Sequence, residues 1–143
     1  MSKMSILTKA TVVALLIALL FASFPTASVL AKGDKNKLED KWSQLVDNYT
    51  RQSSNHNGVH RWVDHWMDTH KKADVSEKNT IHKHLTICNS AIASAGSIVA
   101  KHAGFDANGK VIDRGAAIKS IQDLSYYLRQ HAGSVKNLQG HLH

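Results

Sequence analysis

The chain has one cysteine, Cys88, and one proline, Pro25, in 143 residues. A single thiol excludes an internal disulfide framework and any zinc centre built from cysteines alone. Acidic residues are scarce, 11 against 18 Lys and Arg, and the formal net charge is +7. The few carboxylates fall on polar faces, so a paired-carboxylate acid–base site has no starting point. There is no glycine-rich phosphate loop, no H-E-x-x-H and no C-x-x-C-H, which removes the motif-level signals for nucleotide binding, zinc proteolysis and covalent haem. Ser, His and acidic residues occur without a recognisable nucleophile arrangement, so the chain does not read as an enzyme. No segment alternates apolar and polar residues as a half-buried strand does.

What is abundant is histidine. Ten occur, all after residue 55. The segment before them reads as an address. Lys3 and Lys9 precede a nearly unbroken apolar run from Ala10 to Phe24, Pro25 ends it, and small residues follow as far as Ala31. That is the order of a secretory signal peptide. Val29 and Ala31 suit a signal peptidase, which places cleavage after Ala31, with Ala27 a second position. The competing expectation is an uncleaved membrane anchor, but the run falls short of the about 20 apolar residues that span a bilayer. The reading is a signal peptide over 1–31 and a domain over 32–143, secreted or periplasmic. An exported chain with one thiol must bury it, ligate it or pair it between chains.

The rest divides into four amphipathic segments. Leu38, Trp42, Leu45, Val46 and Tyr49 follow helical spacing from a cap at Asp34 to about Gln52. Ser53 to Gly58 is a cluster of breakers and reads as a loop. Val59, Trp62, Val63, Trp66, Met67 and His70 form a second stripe, ending near Lys72. Asp74 and Glu77 make a capping box for a third helix with the seam Ile81, Leu85, Cys88, Ile92, Ala95, Val99 and His102. Ala91, Ala93, Ala95 and Gly96 keep its middle narrow, and Gly104 closes it. An Asn108-Gly109 turn leads to a cap at Asp113 and the seam Ala117, Ile121, Leu124, Leu128, His131, Val135, Leu138 and Leu142. The predicted fold is all-α, an antiparallel up-and-down four-helix bundle. A long hairpin of the last two helices, with heptad seams free to dimerise, is the alternative.

Two further patterns carry no function. Asp106 to Val111 has part of a calcium loop, but Gly104 and Gly115 stand where its first and twelfth ligands belong. Asn48-Tyr49-Thr50 fits an N-glycosylation sequon, yet falls inside a predicted helix.

The histidines sort by face. His65 and His82 fall on polar faces, His141 and His143 on the tail, and His70, His84, His102 and His131 beside apolar stripes. Folding the last two helices about Asn108 places His84 opposite Ala132 and so beside His131. Cys88 lies one turn from His84. A pocket of two imidazoles and a thiol could hold Zn, Cu, Ni or haem. A second set is His56, His60 and Asp64, spaced four apart, which would line one helix face and suit Zn, Cu or Ni if that helix starts early enough. No Glu lies four residues after a His, so the ligand pattern of hemerythrin-like di-iron bundles is missing.

The reading is therefore a small exported, histidine-rich helical bundle that binds a transition metal or haem. The alternative is a cell-envelope interaction protein that self-associates as a homodimer and takes no ligand. Lys32, Lys35, Lys37 and Lys41 would favour weak contact with anionic envelope surfaces. No aromatic interleaving suggests nucleic acid.

Overall fold

The computed structural model describes residues 35–142. The expected signal segment over 1–31, its cleavage position, the Asp34 cap and His143 lie outside the described residues. Among the described residues there are three helices: α1 (Lys35–Thr69), α2 (Val75–Lys101) and α3 (Arg114–His141). The all-helical class stands, and the four-helix count is corrected to three. Apart from an isolated bridge between Phe105 and Val111, no extended pairing is present among the described residues.

The correction lies at Ser53–Gly58, the expected loop, which is continuous helix. Gly58 costs a helix interior about 1 kcal/mol relative to Ala, and each Ser or Asn about half that. Those local penalties are outweighed by burial on both sides. Leu38, Trp42 and Leu45 are buried before the segment, and Val59, Trp62, Val63 and Trp66 after it. Each large apolar side chain fully buried contributes roughly 1.5–3 kcal/mol. A break in α1 would misalign one of these groups with its partners.

The three helices run up, down and up. The N-terminal half of α1 packs with Ala95 of α2 and with Ala117, Ile121, Leu124 and Leu128 of α3 in one apolar cluster. The C-terminal half packs with Ile81 and Cys88 of α2 and with Val135, Leu138 and Leu142 of α3 in a second. The α3 seam is thus buried within one chain and the α2 seam in part, with Leu85, Ile92 and Val99 half-buried. Narrowness at the middle of α2 is used by Tyr49: a Cβ on Gly96 would come within 2.7 Å of the Tyr49 hydroxyl. Asn48 of the sequon is buried within α1.

Both internal helix starts carry the expected cap residue, but the Asp74–Glu77 box is not closed, since Glu77 returns no hydrogen bond to Asp74. The Asp74 carboxylate accepts from the Ser76 N–H, and the Asp113 carboxylate from the Ala116 N–H. The end of α2 differs from expectation. His102, not Gly104, is the left-handed cap residue (φ 35°), and its Nδ1 lies 2.8 Å from the Phe105 carbonyl. That bond offsets the strain of a non-glycine residue with positive φ. Gly104 follows at φ +90°, where a Cβ would run into the Ala117 backbone.

The α2–α3 connection is asymmetric, which sets the register. Phe105 turns into the core and stacks on Trp42, ring centroids 4.5 Å apart. Asp106 accepts from the Asn108 and Lys110 N–H groups, so the calcium-like stretch is a self-bonded turn. Glu39 of α1 accepts from the Val111 N–H at 3.0 Å and pairs with Lys110. With the loop drawn in this way, His84 meets His141 rather than Ala132, a displacement of roughly two and a half helical turns along α3. None of the described helices is long and apolar enough to cross a membrane.

Candidate metal centre

Between the two apolar clusters lies a polar layer. Gln52 of α1 and His131 of α3 are both buried, 4% and 3% exposed. Each occupies the inward position of its helix at the level where the apolar clusters separate. His131 Nδ1 is 2.6 Å from Gln52 Oε1. His131 Nε2 is 3.0 Å from His56 Nδ1. His56 Nε2 is 2.8 Å from Asn89 Oδ1, and His60 Nε2 approaches the same oxygen at 2.6 Å. The chain Gln52–His131–His56–Asn89 thus joins all three helices. It runs from the core through half-buried His56 to exposed Asn89.

The continuity of α1 makes this possible. His56 and His60 stand one turn apart on one face only because Ser53–Gly58 stays helical. Their rings meet edge to face, centroids 4.8 Å apart.

Proton counting defines the chemistry. The bonds from Gln52 Oε1 to Asn89 Oδ1 number three, and both terminal atoms are oxygens that only accept. All three hydrogens must come from ring nitrogens. Two neutral imidazoles carry two. The chain as placed therefore calls for one positive equivalent, or for one terminal amide to turn its NH2 inward.

The environment decides which ring carries charge. Burial, and then the neighbouring His56, push His131 down to about 4. Burial also lowers His56, against the raising effect of its bond to Asn89, with His60 lowering it slightly further. Both rings resist a proton, His131 the more strongly, and the outer nitrogen of half-buried His56 is the accessible place for a positive charge.

The sequence-predicted site residues are regrouped. His131 is joined to His56 and Gln52, and has no contact with His84. His84 instead stacks on His141, centroids 5.9 Å apart, and its Nδ1 is buried without a hydrogen-bond partner. The expected His84–His131–Cys88 pocket is therefore not assembled. Cys88 is fully buried in an apolar cluster, and burial pushes its thiol up to about 12, which disfavours the thiolate a metal needs. His56 and His60 come together as spaced. Asp64 is exposed on α1 and bonds to neither. Among the described residues, no three His, Cys, Asp or Glu side chains converge as a metal-binding group. The third donor beside the two imidazoles is an amide oxygen, that of Asn89.

Sequence reasoning missed Gln52 and Asn89. A signal for Gln52 was present. Leu38, Trp42, Leu45, Tyr49, Gln52, His56, Val59, Val63 and Trp66 step by four and three without interruption. Counting polar Gln52 and His56 as seam positions would have joined the two predicted helices. Nothing local marks Asn89.

Comparison with protein-family models, characterised proteins and solved structures gives no match to this chain. The site alone carries the functional reading.

Proposed function

We propose that the protein is a small exported histidine-rich bundle that binds one borderline transition ion, Zn2+, Cu2+ or Ni2+, between His56, His60 and Asn89. The observation that carries this is the convergence of His56 Nε2 and His60 Nε2 on Asn89 Oδ1, at 2.8 and 2.6 Å. Two imidazole nitrogens and an amide oxygen suit these ions better than Ca2+ or Mg2+, which take oxygen ligands. A cation accepted by His56 Nε2 also supplies the missing positive equivalent. The remaining bonds then hold with neutral rings: His56 Nδ1–H donates to His131, and His131 Nδ1–H donates to Gln52. Metal-bound histidines ordinarily donate their second N–H in this way.

Tetrahedral coordination with bonds near 2.0 Å needs donor separations of about 3.3 Å. Asn89 must therefore draw back from the two rings by about 0.5–0.7 Å, which its exposed position permits. One tetrahedral position remains for water or a further ligand, consistent with carriage or buffering of the ion.

The test is calorimetric titration of the purified protein with zinc chloride, cupric chloride and nickel chloride, alongside His56→Ala and His60→Ala. One ion per chain is expected, lost in both variants. Absence of binding by the wild-type chain, or binding retained in both variants, would refute the assignment.

A further inference from the structure

The Gln52–His131–His56 chain can satisfy its bonds in two directions. In one, His56 donates to His131 and His131 to Gln52 Oε1. In the other, Gln52 presents Nε2 to His131 Nδ1, His131 Nε2–H donates to His56 Nδ1, and His56 Nε2–H donates to Asn89 Oδ1. The second arrangement keeps both rings neutral without a metal. It also gives a partner to Gln52 Nε2, which is otherwise buried and unbonded. An unmade bond on a buried donor costs about 1–3 kcal/mol, and a lone carbonyl is the less costly atom to leave unpaired.

We infer that Gln52 and His131 form a reversible tautomer relay, in which occupation of the outer nitrogen of His56 by a metal ion reverses both bonds and turns over the buried Gln52 amide. This deepens the metal-site reading above and rests on it. A ligand at His56 Nε2 excludes hydrogen from that atom, so the ring proton must move to Nδ1. His131 then has to accept at Nε2 and donate from Nδ1, and only Gln52 Oε1 stands within reach of that proton at 2.6 Å. Gln52 and His131 are positioning residues. Neither touches the ion, yet both set whether His56 offers a lone pair to the outside. Occupancy near the surface is thereby written into the centre of the core.

The experiment is 15N-detected NMR of the protein at pH 8, zinc-free and with stoichiometric zinc chloride, reading the tautomers of His56 and His131 through their ring nitrogens. Zinc-free protein is expected to hold both rings as Nε2–H. Zinc is expected to convert both to Nδ1–H and to shift the Gln52 side-chain amide resonances. In Gln52→Met both states lose their Gln52 bond, but zinc-bound His131 is left with a buried N–H unpaired and zinc-free His131 only with a lone pair, the less costly loss, so zinc affinity should fall about 10-fold or more, with the zinc-free fold intact by circular dichroism.

A His131 tautomer unchanged by bound zinc overturns the relay, as does wild-type affinity in a folded Gln52→Met. If wild type binds no zinc, the metal-site reading falls. The zinc-driven reversal falls with it, and the zinc-free spectrum then tests only the resting direction, which an Nδ1–H form of either ring rejects.

Discussion

His56 Nδ1 on α1 lies 3.0 Å from His131 Nε2 on α3, and the two rings share one hydrogen across the interface between those helices. His131 has no water to turn to, being 3% exposed. Its protonation is consequently coupled to folding.

That coupling gives a pH dependence. His131 is lowered from an ordinary 6.5 to about 4, chiefly by burial, and His56 and His84 are lowered too. A depressed histidine contributes stability that is complete above its unfolded value and lost as pH falls toward its folded one. For His131 the window is pH 6.5 down to about 4. Each pH unit inside it removes about 1.4 kcal/mol, so about 2 kcal/mol should be gone by pH 5. Urea denaturation of metal-free protein at pH 7.5, 6 and 5 reads this directly. The loss should be smaller in His131→Phe; equal slopes in the two proteins would show that the acid response arises elsewhere.

The metal assignment separates residues that the sequence grouped together. Asp64→Ala and His84→Ala should leave zinc affinity unchanged, since neither side chain meets His56 or His60. His60→Ala should abolish it, since one of only two imidazole ligands is removed. A drop in Asp64→Ala, measured by the same titration, would place the ion further along α1.

Gly104 has little freedom to change. Its φ is +90°, and a Cβ there would stand 2.1 Å from the Ala117 nitrogen. Gly104→Ala therefore adds both left-handed strain and a backbone clash, and should cost more than about 3 kcal/mol. A thermal melt within a few degrees of wild type would contradict the drawn-in loop.

Cys88 should be inert in the native protein. It is fully buried and its thiol is pushed up to about 12. A thiol-specific chromogenic reagent should label it only at the rate of unfolding. Immediate labelling in native buffer would mean that the second apolar cluster opens readily.

The sequence by itself determined the helical class, the Asp74 and Asp113 caps and the inward faces, because heptad spacing and capping chemistry are local. On α3 the seam Ala117, Ile121, Leu124, Leu128, His131, Val135, Leu138 and Leu142 is buried throughout; on α2 Ile81, Cys88 and Ala95 are buried, while Leu85, Ile92 and Val99 are half-buried and off-seam Ala91 is buried in their place. Tertiary structure decided whether Ser53–Gly58 breaks a helix, since a weak propensity signal yields to apolar surface buried on either side of it. It also decided the α2–α3 register, through Phe105 stacking on Trp42 and Glu39 holding the loop. Those two decisions took His131 away from His84 and set it against His56 and Gln52. The spacing of histidines in a chain fixes which of them share a helix face, while the choice of partner on another helix depends on how the loops are packed.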